Sequence, residues 1–332
     1  MKKVISLVLV FALMLCFAAC GNTDKKDDTT TTTEPPYQSV TIRVAGLSGP
    51  TGIGMAKLMS DKDNGTAKND YQFTLVSDPK EISAGMIGKN FDIAACPINL
   101  ASVLYNKLEG NVQVLSINTK GVLYILENGN TINSLQDLAG KKLYATGQGS
   151  TPEYILNYLL DKSGIADKVT VEYVTSHDEL ATLAAAGKAT VAMLPEPKVT
   201  AAMMQNAELR IALNLTEEFE KLSGETLIQG VVIASKDFVK SNPEAVEMFL
   251  KEYEASIGYA NSDVEGTATL CEQYKIIPKA AMAKKAIPNC NIAYIDGADM
   301  KSAVAANLQI FFDADKTSIG GKLPGDDFYY GV

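Results

Sequence analysis

Residues 46–54 read Gly46-Leu47-Ser48-Gly49-Pro50-Thr51-Gly52-Ile53-Gly54, and this stretch decides the fold. It follows a short alternating apolar run, Val40 to Val44, and precedes an apolar helical run, Met55 to Met59. A strand, a glycine-rich turn and a helix start together present backbone N–H groups to a ligand. Because any such turn uses glycine, a purely structural role stays open. A second copy of the pattern, Thr146-Gly147-Gln148-Gly149-Ser150-Thr151, favours the ligand-binding interpretation.

The first residues predict export and a lipid anchor. Lys2 and Lys3 precede an apolar run from Val4 to Phe17, which is the arrangement of a secretory signal peptide. This run is shorter than the ~20 residues of a transmembrane helix. Phe17-Ala18-Ala19-Cys20 is similar to a bacterial lipobox, although leucine is usual in place of Phe17, and an ordinary signal peptide is the alternative. We predict a lipoprotein signal peptide over residues 1–19, with lipidation at Cys20.

Residues 20–38 predict a disordered tether. The segment is rich in charged residues and contains five consecutive threonines followed by Glu34-Pro35-Pro36. Such a segment cannot bury enough apolar surface to offset its ordering entropy. We therefore expect a domain held at the extracellular face of the cytoplasmic membrane, and the threonine-rich tether favours a Gram-positive cell.

Charge and cysteine content exclude several partners. The formal charge is −9, and it becomes −11 without Lys2 and Lys3 of the leader. This acidity argues against nucleic acid or an anionic membrane surface as a partner. Apart from the lipidation site Cys20, the cysteines after the leader are Cys96, Cys271 and Cys290, in no metal-binding spacing, so we expect no metal and no cofactor. A disulfide between Cys271 and Cys290 stays open.

Beyond the tether, strand-like and helix-like segments alternate in two successive units, Thr41 to Leu126 and Ser134 to Leu213. This alternation predicts an α/β fold with two lobes, each a mixed, mostly parallel sheet flanked by helices. Ile228 to Ala234 returns to the first unit, so we predict lobe I over residues 39–126 and 228–332 and lobe II over 127–227. Ligands bind outside the carboxyl ends of strands in such sheets, so loops of both lobes should meet in one cleft.

Two helix starts in the second unit carry a capping pattern. Ser150-Thr151-Pro152-Glu153 and Ser176-His177-Asp178-Glu179 both have the S-x-x-E form of a capping box. We expect each serine to accept from the N–H of the glutamate.

Four segments resemble a known family: Ser48 to Met55, Cys96 to Ala101, Gly147 to Tyr154, and Leu194 to Pro197. They look like the substrate-binding lipoproteins of bacterial ABC importers, within the nitrate, sulfonate, taurine and thiamine-precursor group. The resemblance covers about Val40 to Gly325. It implies a clamshell of the type II periplasmic-binding-protein fold that is a monomer, binds a small molecule between its lobes and delivers it to an ABC permease.

The loops and the resemblance together predict a set of ligand-binding residues: Ser48, Gly49, Pro50, Thr51, Cys96, Asn99, Gln148, Ser150, Thr151, Tyr154, Glu196 and Gln229. Hydroxyl groups and helix N-termini suit an oxyanion such as a sulfonate. Tyr105, Tyr124 or Tyr154 could instead stack on a heterocycle related to thiamine precursors. Glu196 favours a cationic or N–H-bearing ligand, unless it only complements a helix dipole. Cys96 is interpreted as a small residue at a tight turn.

Two other functions remain alternatives. A ligand-sensing surface lipoprotein would have the same sequence features. An enzyme on the same fold, such as a pyrimidine-precursor synthase, would need chemistry that this chain lacks, because His177 is its only histidine and we expect it at a helix start on the surface. We predict that the protein is not an enzyme.

Overall fold

The computed structural model describes residues 37–332. The predicted signal peptide, the lipidation site Cys20 and all but the last two residues of the predicted tether lie outside the described residues. Residues Ser39–Val332 form one compact unit. Within the described part, no helix combines the length and the apolar character needed to cross a bilayer.

Strands and helices alternate along residues 37–332. The strands are β1 (Thr41–Leu47), β2 (Asp70–Val76), β3 (Ile93–Pro97), β4 (Val112–Lys120), β5 (Leu123–Asn128), β6 (Lys142–Ala145), β7 (Thr170–Tyr173), β8 (Val191–Pro195), β9 (Leu209–Asn214), β10 (Ile228–Ser235) and β11 (Ile292–Ile295). The helices are α1 (Pro50–Ile53), α2 (Ala56–Asp63), α3 (Pro79–Ile87), α4 (Ile98–Lys107), α5 (Thr151–Lys162), α6 (His177–Ala185), α7 (Lys198–Gln205), α8 (Leu215–Ser223), α9 (Lys236–Ser241), α10 (Pro243–Ser262), α11 (Val264–Gln273), α12 (Ala280–Ala286) and α13 (Gly297–Ala314). Short 3-10 helices cover Leu135–Leu138, Ala166–Lys168, Ile287–Asn289, Lys316–Ile319 and Asp326–Phe328.

The strands form two sheets, in the orders β11-β4-β10-β3-β1-β2 and β7-β6-β8-β5-β9. This confirms the predicted α/β class with one mixed sheet in each half. The mostly parallel character is wrong in detail. Among the named strands of residues 37–332, the parallel pairs are β1 with β2 and β3, and β6 with β7 and β8. β5 is the first strand after the chain leaves the first sheet for the second, and β10 is the first strand after it returns. Each of these two strands runs antiparallel to both of its neighbours.

The chain passes between the sheets at two adjacent segments. One joins β4 to β5 at Gly121, the other precedes β10 at Leu227, and the Gly121 N–H donates to the Leu227 carbonyl at 2.8 Å. Because β5 pairs with β8 and β9, the boundary predicted at 126/127 falls inside a strand of the second sheet. An apolar strand carries no sign of which sheet it will join. Below, lobe I means the part of the chain built on the first sheet, and lobe II the part built on the second.

Apolar side chains cover both faces of each sheet. One buried cluster lies under α2, α10, α11 and α12 on lobe I, and another under α6 and α7 on lobe II. A third cluster is continuous across the two lobes, where Tyr154 of α5 lies 6.5 Å from Phe311 of α13 between ring centroids. Burial of apolar surface therefore joins the lobes as well as stabilising each of them.

Candidate functional site

The glycine-rich turn after β1 lies at the carboxyl end of its strand, as expected. Two of its N–H groups are already engaged, because the Ser48 amide donates to Val76 at 2.9 Å and the Gly49 amide to Ile276 at 2.8 Å. Gly49 has a φ of 93°, a left-handed conformation that favours glycine. The expectation that the turn presents unpaired N–H groups is therefore wrong for Ser48 and Gly49, because Val76 and Ile276, which are distant in the chain, supply their acceptors.

Close packing beneath the turn explains two further glycines. A Cβ atom on Gly52 would lie 2.4 Å from the Leu47 carbonyl oxygen. A Cβ atom on Gly230 would lie 3.2 Å from Cγ2 of Thr51, so β10 passes directly against Thr51. Gly230 also pairs with Pro97 of β3. One end of the lobe I sheet therefore brings together Thr51, Pro97 and Gly230. Gln229 directly precedes Gly230 in the chain.

A buried asparagine, which sequence reasoning missed, holds Thr51 in place. Asn118 is 1% exposed, and its amide group donates to the Thr51 carbonyl at 3.1 Å and to the Tyr253 hydroxyl at 2.9 Å. Its side-chain oxygen accepts from the Thr119 hydroxyl at 3.1 Å. Buried polar groups need partners of this kind. The available signal was the polar pair Asn118-Thr119 near the end of the mostly buried strand β4.

Lobe II contributes polar groups that follow three neighbouring strands. Thr146 follows β6, His177 follows β7 and Lys198 follows β8, and these strands lie side by side in the sheet. The Thr146 hydroxyl lies 2.6 Å from Nδ1 of His177. Burial, assisted by the charge of Lys198, lowers the pKa of His177, so its imidazole is neutral at pH 7. Lys198 itself forms an ion pair with Asp178. His177 does begin α6, but it is only partly exposed.

The start of α5 differs from its predicted capping box. The Ser150 hydroxyl donates to the Gly147 carbonyl at 2.6 Å, and the Glu153 carboxylate accepts from the Gly149 amide at 2.6 Å. Gly147 and Gly149 have positive φ angles and turn the chain back toward the start of the helix. Ser150 and Glu153 therefore bond to this turn instead of forming the expected capping box. At α6 the predicted contact is present, because Ser176 accepts from the Glu179 amide at 3.2 Å.

Tyr154 lies at the junction of the lobes. Its hydroxyl donates to the Asp315 carboxylate at 3.0 Å and is 3.2 Å from the Gly149 carbonyl. Burial and the neighbouring Asp315 raise the pKa of Tyr154 to about 12. Three residues after Asp315, the Ser318 carbonyl accepts from the Asn99 amide of lobe I at 3.4 Å. The segment 315–318 therefore brings candidate residues of both lobes together.

Glu196 is engaged by the protein. It is 2% exposed, and its carboxylate accepts from the Thr200 amide at 3.1 Å, the Thr200 hydroxyl at 3.0 Å and the Asn289 side chain of lobe I at 3.2 Å. Burial raises the pKa of Glu196. Acceptance of the Thr200 amide in the first turn of α7 favours the helix-terminus role that the sequence left open.

The candidate residues thus fall into two groups: those whose polar groups already bond to the protein, and those whose polar groups do not. Within residues 37–332, five predicted side chains make no hydrogen bond to another protein group: Ser48, Thr51, Gln148, Thr151 and Gln229. The predicted residues Gly49 and Pro50 lie between Ser48 and Thr51 in the chain. Cys96 is fully buried in the core of lobe I, where burial raises the pKa of its thiol. Cys271 and Cys290 are buried and free, so the disulfide left open by the sequence is not formed.

Two cavities open along the junction of the lobes. One of about 650 Å³ lies between α5 and α13 and includes Tyr154. The other, of about 230 Å³, lies beside α7 and includes Thr200 and Asn289. Among the described residues, no three His, Cys, Asp or Glu side chains are grouped so that they could hold a metal ion.

Comparison with known proteins agrees with this architecture. Residues 107–265 match the family model described as NMT1/THI5 like. An ABC transporter structure from Parabacteroides distasonis is 26% identical over 87% of this chain and 98% of its own, with a TM-score of 0.73. The periplasmic aliphatic sulphonate binding protein SsuA from Escherichia coli is 13% identical over 88% and 100%, with a TM-score of 0.69. A putative periplasmic sulfonate-binding protein SsuA from Methylobacillus flagellatus is 15% identical over 86% and 89%, with a TM-score of 0.62. No curated protein matches the chain.

The two sulfonate-binding proteins are too distant to show more than a shared fold. With the family match and the Parabacteroides structure, they confirm the predicted resemblance to the substrate-binding proteins of ABC importers. The chain has the type II periplasmic-binding-protein fold.

Proposed function

We propose that this chain is the extracytoplasmic substrate-binding lipoprotein of an ABC importer, which captures a small molecule between its lobes and delivers it to the permease. The observation that carries the proposal is the pair of half-sites at the strand ends. Thr51 of lobe I and Thr151 of lobe II each begin a helix after a glycine-rich turn, and neither hydroxyl is used by the protein within residues 37–332. No group in these half-sites suggests catalysis, so we propose binding without chemistry.

Closure by hinge motion would complete the site. Within the described part of the chain, two segments cross between the sheets, and they are hydrogen-bonded to each other at Gly121 and Leu227. Rotation about such a narrow connection changes few contacts within either lobe, which is how hinged binding proteins close on a ligand. The uncommitted hydroxyl and amide groups of the two lobes would then surround one molecule. The division into moving lobes is part of this proposal.

An oxyanion such as a sulfonate is the ligand class that we favour. The three tyrosines considered for stacking are occupied elsewhere. Tyr105 packs on Phe328 with ring centroids 5.1 Å apart. The Tyr124 hydroxyl donates to the Asn289 carbonyl, and Tyr154 is bonded to Asp315. The unused groups are neutral hydroxyls and amides, which can donate to an anion. A heterocycle related to thiamine precursors is the alternative.

A thermal-shift screen of the protein tests this function. The panel contains alkane- and arylsulfonates, small inorganic anions, thiamine precursors, flavins and nucleobases. A ligand at about 100 times its dissociation constant stabilises the folded state by roughly 2.7 kcal/mol. We expect a clear rise in melting temperature with sulfonates. A rise with thiamine precursors alone would overturn the ligand class, and no rise with any member of the panel would count against small-molecule capture.

We also propose that the mature protein is a monomer anchored by lipid at Cys20 to the extracellular face of a Gram-positive cytoplasmic membrane. Replacing Cys20 with alanine should release the protein into the medium, because a lipidated cysteine is the proposed attachment point. Cell fractionation and immunoblotting measure this directly. Export with retention in the membrane fraction in the Cys20→Ala variant would contradict the anchor, and Cys96→Ala, a buried cysteine outside the leader, is the control.

A further inference from the structure

We propose that the loop Asn289–Asn291 is a proton-sensitive clasp, which holds the two lobes closed through the buried carboxyl group of Glu196. This inference rests on the proposed function, because it assumes that the lobes open and close. It adds a regulation that hinge closure alone does not imply, namely that acid favours the closed state.

The clasp loop is attached to lobe I at the hinge. The Asn291 side chain donates to the Gly121 carbonyl at 2.6 Å, and the Asn291 carbonyl accepts from the Lys120 amide at 3.0 Å. Asn291 itself has a φ of 47°, a left-handed conformation that asparagine tolerates. The loop therefore has a defined position beside the first crossing segment.

On its other side the same loop contacts lobe II. The Asn289 side chain donates to the Glu196 carboxylate at 3.2 Å, and the Tyr124 hydroxyl donates to the Asn289 carbonyl at 2.7 Å. Tyr124 belongs to β5 and Glu196 follows β8, and these two strands are paired. Separation of the lobes would break both hydrogen bonds at once, and it would expose Glu196 to water.

Neutral groups surround the Glu196 carboxylate. Its donors are the amide and hydroxyl of Thr200 and the amide of Asn289, and among the described residues it forms no ion pair. The titratable and charged groups facing it or its partners, from every element packed nearby, are Tyr124, Cys290, Glu217, Lys198 and Lys285. Burial raises the pKa of Tyr124 and of Cys290, and the charge of Glu196 raises both further. Lys198 is paired with Asp178 and not with Glu196.

This environment couples closure to proton binding. A buried carboxylate without a cation favours its neutral form, and burial raises the pKa of Glu196 in this structure, which the proposal takes as the closed state. In an open form Glu196 would be hydrated and its pKa would return toward the ordinary value of 4.5. The closed state therefore binds the proton more tightly. Its extra stability is fully present below the open-state pKa and is lost as the pH rises through the closed-state pKa.

The test measures the distance between the lobes without ligand, so that it does not depend on the ligand's identity. Labels are placed on the full chain at two exposed lysines, by Lys107→Cys in lobe I and Lys188→Cys in lobe II. We expect the closed population to rise as the pH falls from 8 toward 5, by at most about tenfold per pH unit for a single proton. Glu196→Gln should abolish this slope, whereas Glu208→Gln, an exposed carboxylate of the same lobe, should retain it.

Two outcomes would overturn the clasp: a wild-type closed fraction that does not change with pH, or an unchanged slope in Glu196→Gln. If Glu196→Gln fails to fold, Asn289→Ala provides the second variant. It should lower the closed fraction and keep the slope, because the Asn289 hydrogen bond lowers the pKa of Glu196 and its loss leaves the buried carboxyl more easily protonated. An unchanged closed fraction in Asn289→Ala would also contradict the proposal, because the variant removes the hydrogen bond that joins the lobes. A pH-dependent distance in a protein that binds no member of the ligand panel would support the clasp while counting against the proposed function.

Discussion

Replacing Thr51 and Thr151 together with valine is expected to lower ligand affinity about 10²- to 10⁴-fold while leaving the protein folded. Valine keeps the shape of threonine and removes only the hydroxyl group. Each hydroxyl is free of protein partners within residues 37–332, and the proposed function has each of them bind the ligand from a different lobe. A hydrogen bond to a charged ligand is worth roughly 1.5–3 kcal/mol, and every 1.4 kcal/mol is about tenfold in affinity. Isothermal titration with the ligand found in the screen measures the change.

Thr267→Val is the matched control for this pair. The Thr267 hydroxyl is fully buried in α11 and has no hydrogen-bond partner. Its removal should leave affinity unchanged and leave the free energy of unfolding equal or higher, because an unsatisfied buried group disappears. Wild-type affinity in the double valine variant would mean that the ligand binds elsewhere.

Replacing Gly52 with alanine should weaken both folding and binding. The added Cβ atom would lie 2.4 Å from the Leu47 carbonyl oxygen, a backbone atom that cannot turn away. The turn must therefore shift and carry Thr51 with it. Overpacking of this kind costs about 1–3 kcal/mol of stability, and displacement of Thr51 should lower affinity about 10- to 100-fold. Chemical denaturation and titration calorimetry measure the two effects separately.

Gly258→Ala tests whether these losses are specific to the turn. Gly258 lies in α10 with no heavy atom within 4 Å of an added Cβ atom. Alanine is favoured over glycine in a helix by about 1 kcal/mol, so this variant should be as stable as the wild type or more stable. If Gly52→Ala has native stability and affinity, the turn is more adaptable than its packing indicates, and its place in the site is wrong.

Local patterns predicted most of the elements in their order but missed α8 and β11. The alternation of apolar strands with glycine turns and amphipathic helices predicted the α/β class and the return of the chain at Ile228. They were not sufficient for the pairing of the strands. The strand β5 has the same apolar character whichever sheet it joins, and only its contacts with β8 and β9 assign it to the second one.

The same distinction between local pattern and tertiary contact applies to the polar residues of the candidate site. Thr51 and Thr151 could be predicted as candidates because the motif around each is local, a glycine turn followed by a helix start. The helix-terminus role of Glu196 was one of its predicted alternatives. The contacts of Glu196 with Asn289 and of Tyr154 with Asp315 were not predictable, because these partners lie 93 and 161 residues away in the chain. Asn118 was missed for a related reason, because its role in holding Thr51 depends on hydrogen bonds to the Tyr253 hydroxyl and the Thr51 carbonyl, both distant in the chain.

The amino-acid sequence by itself determined which elements form and where the glycine turns lie, because helix caps, turns and hydrophobic periodicity depend on neighbours a few residues apart. Only the tertiary structure decided which polar groups of those turns remain available. The segments that supply competing partners, around Ile276, Asn289 and Asp315, reach the turns through folding rather than through the chain. A hydroxyl group is available to a ligand only where no such partner arrives, and that is a property of the packed molecule.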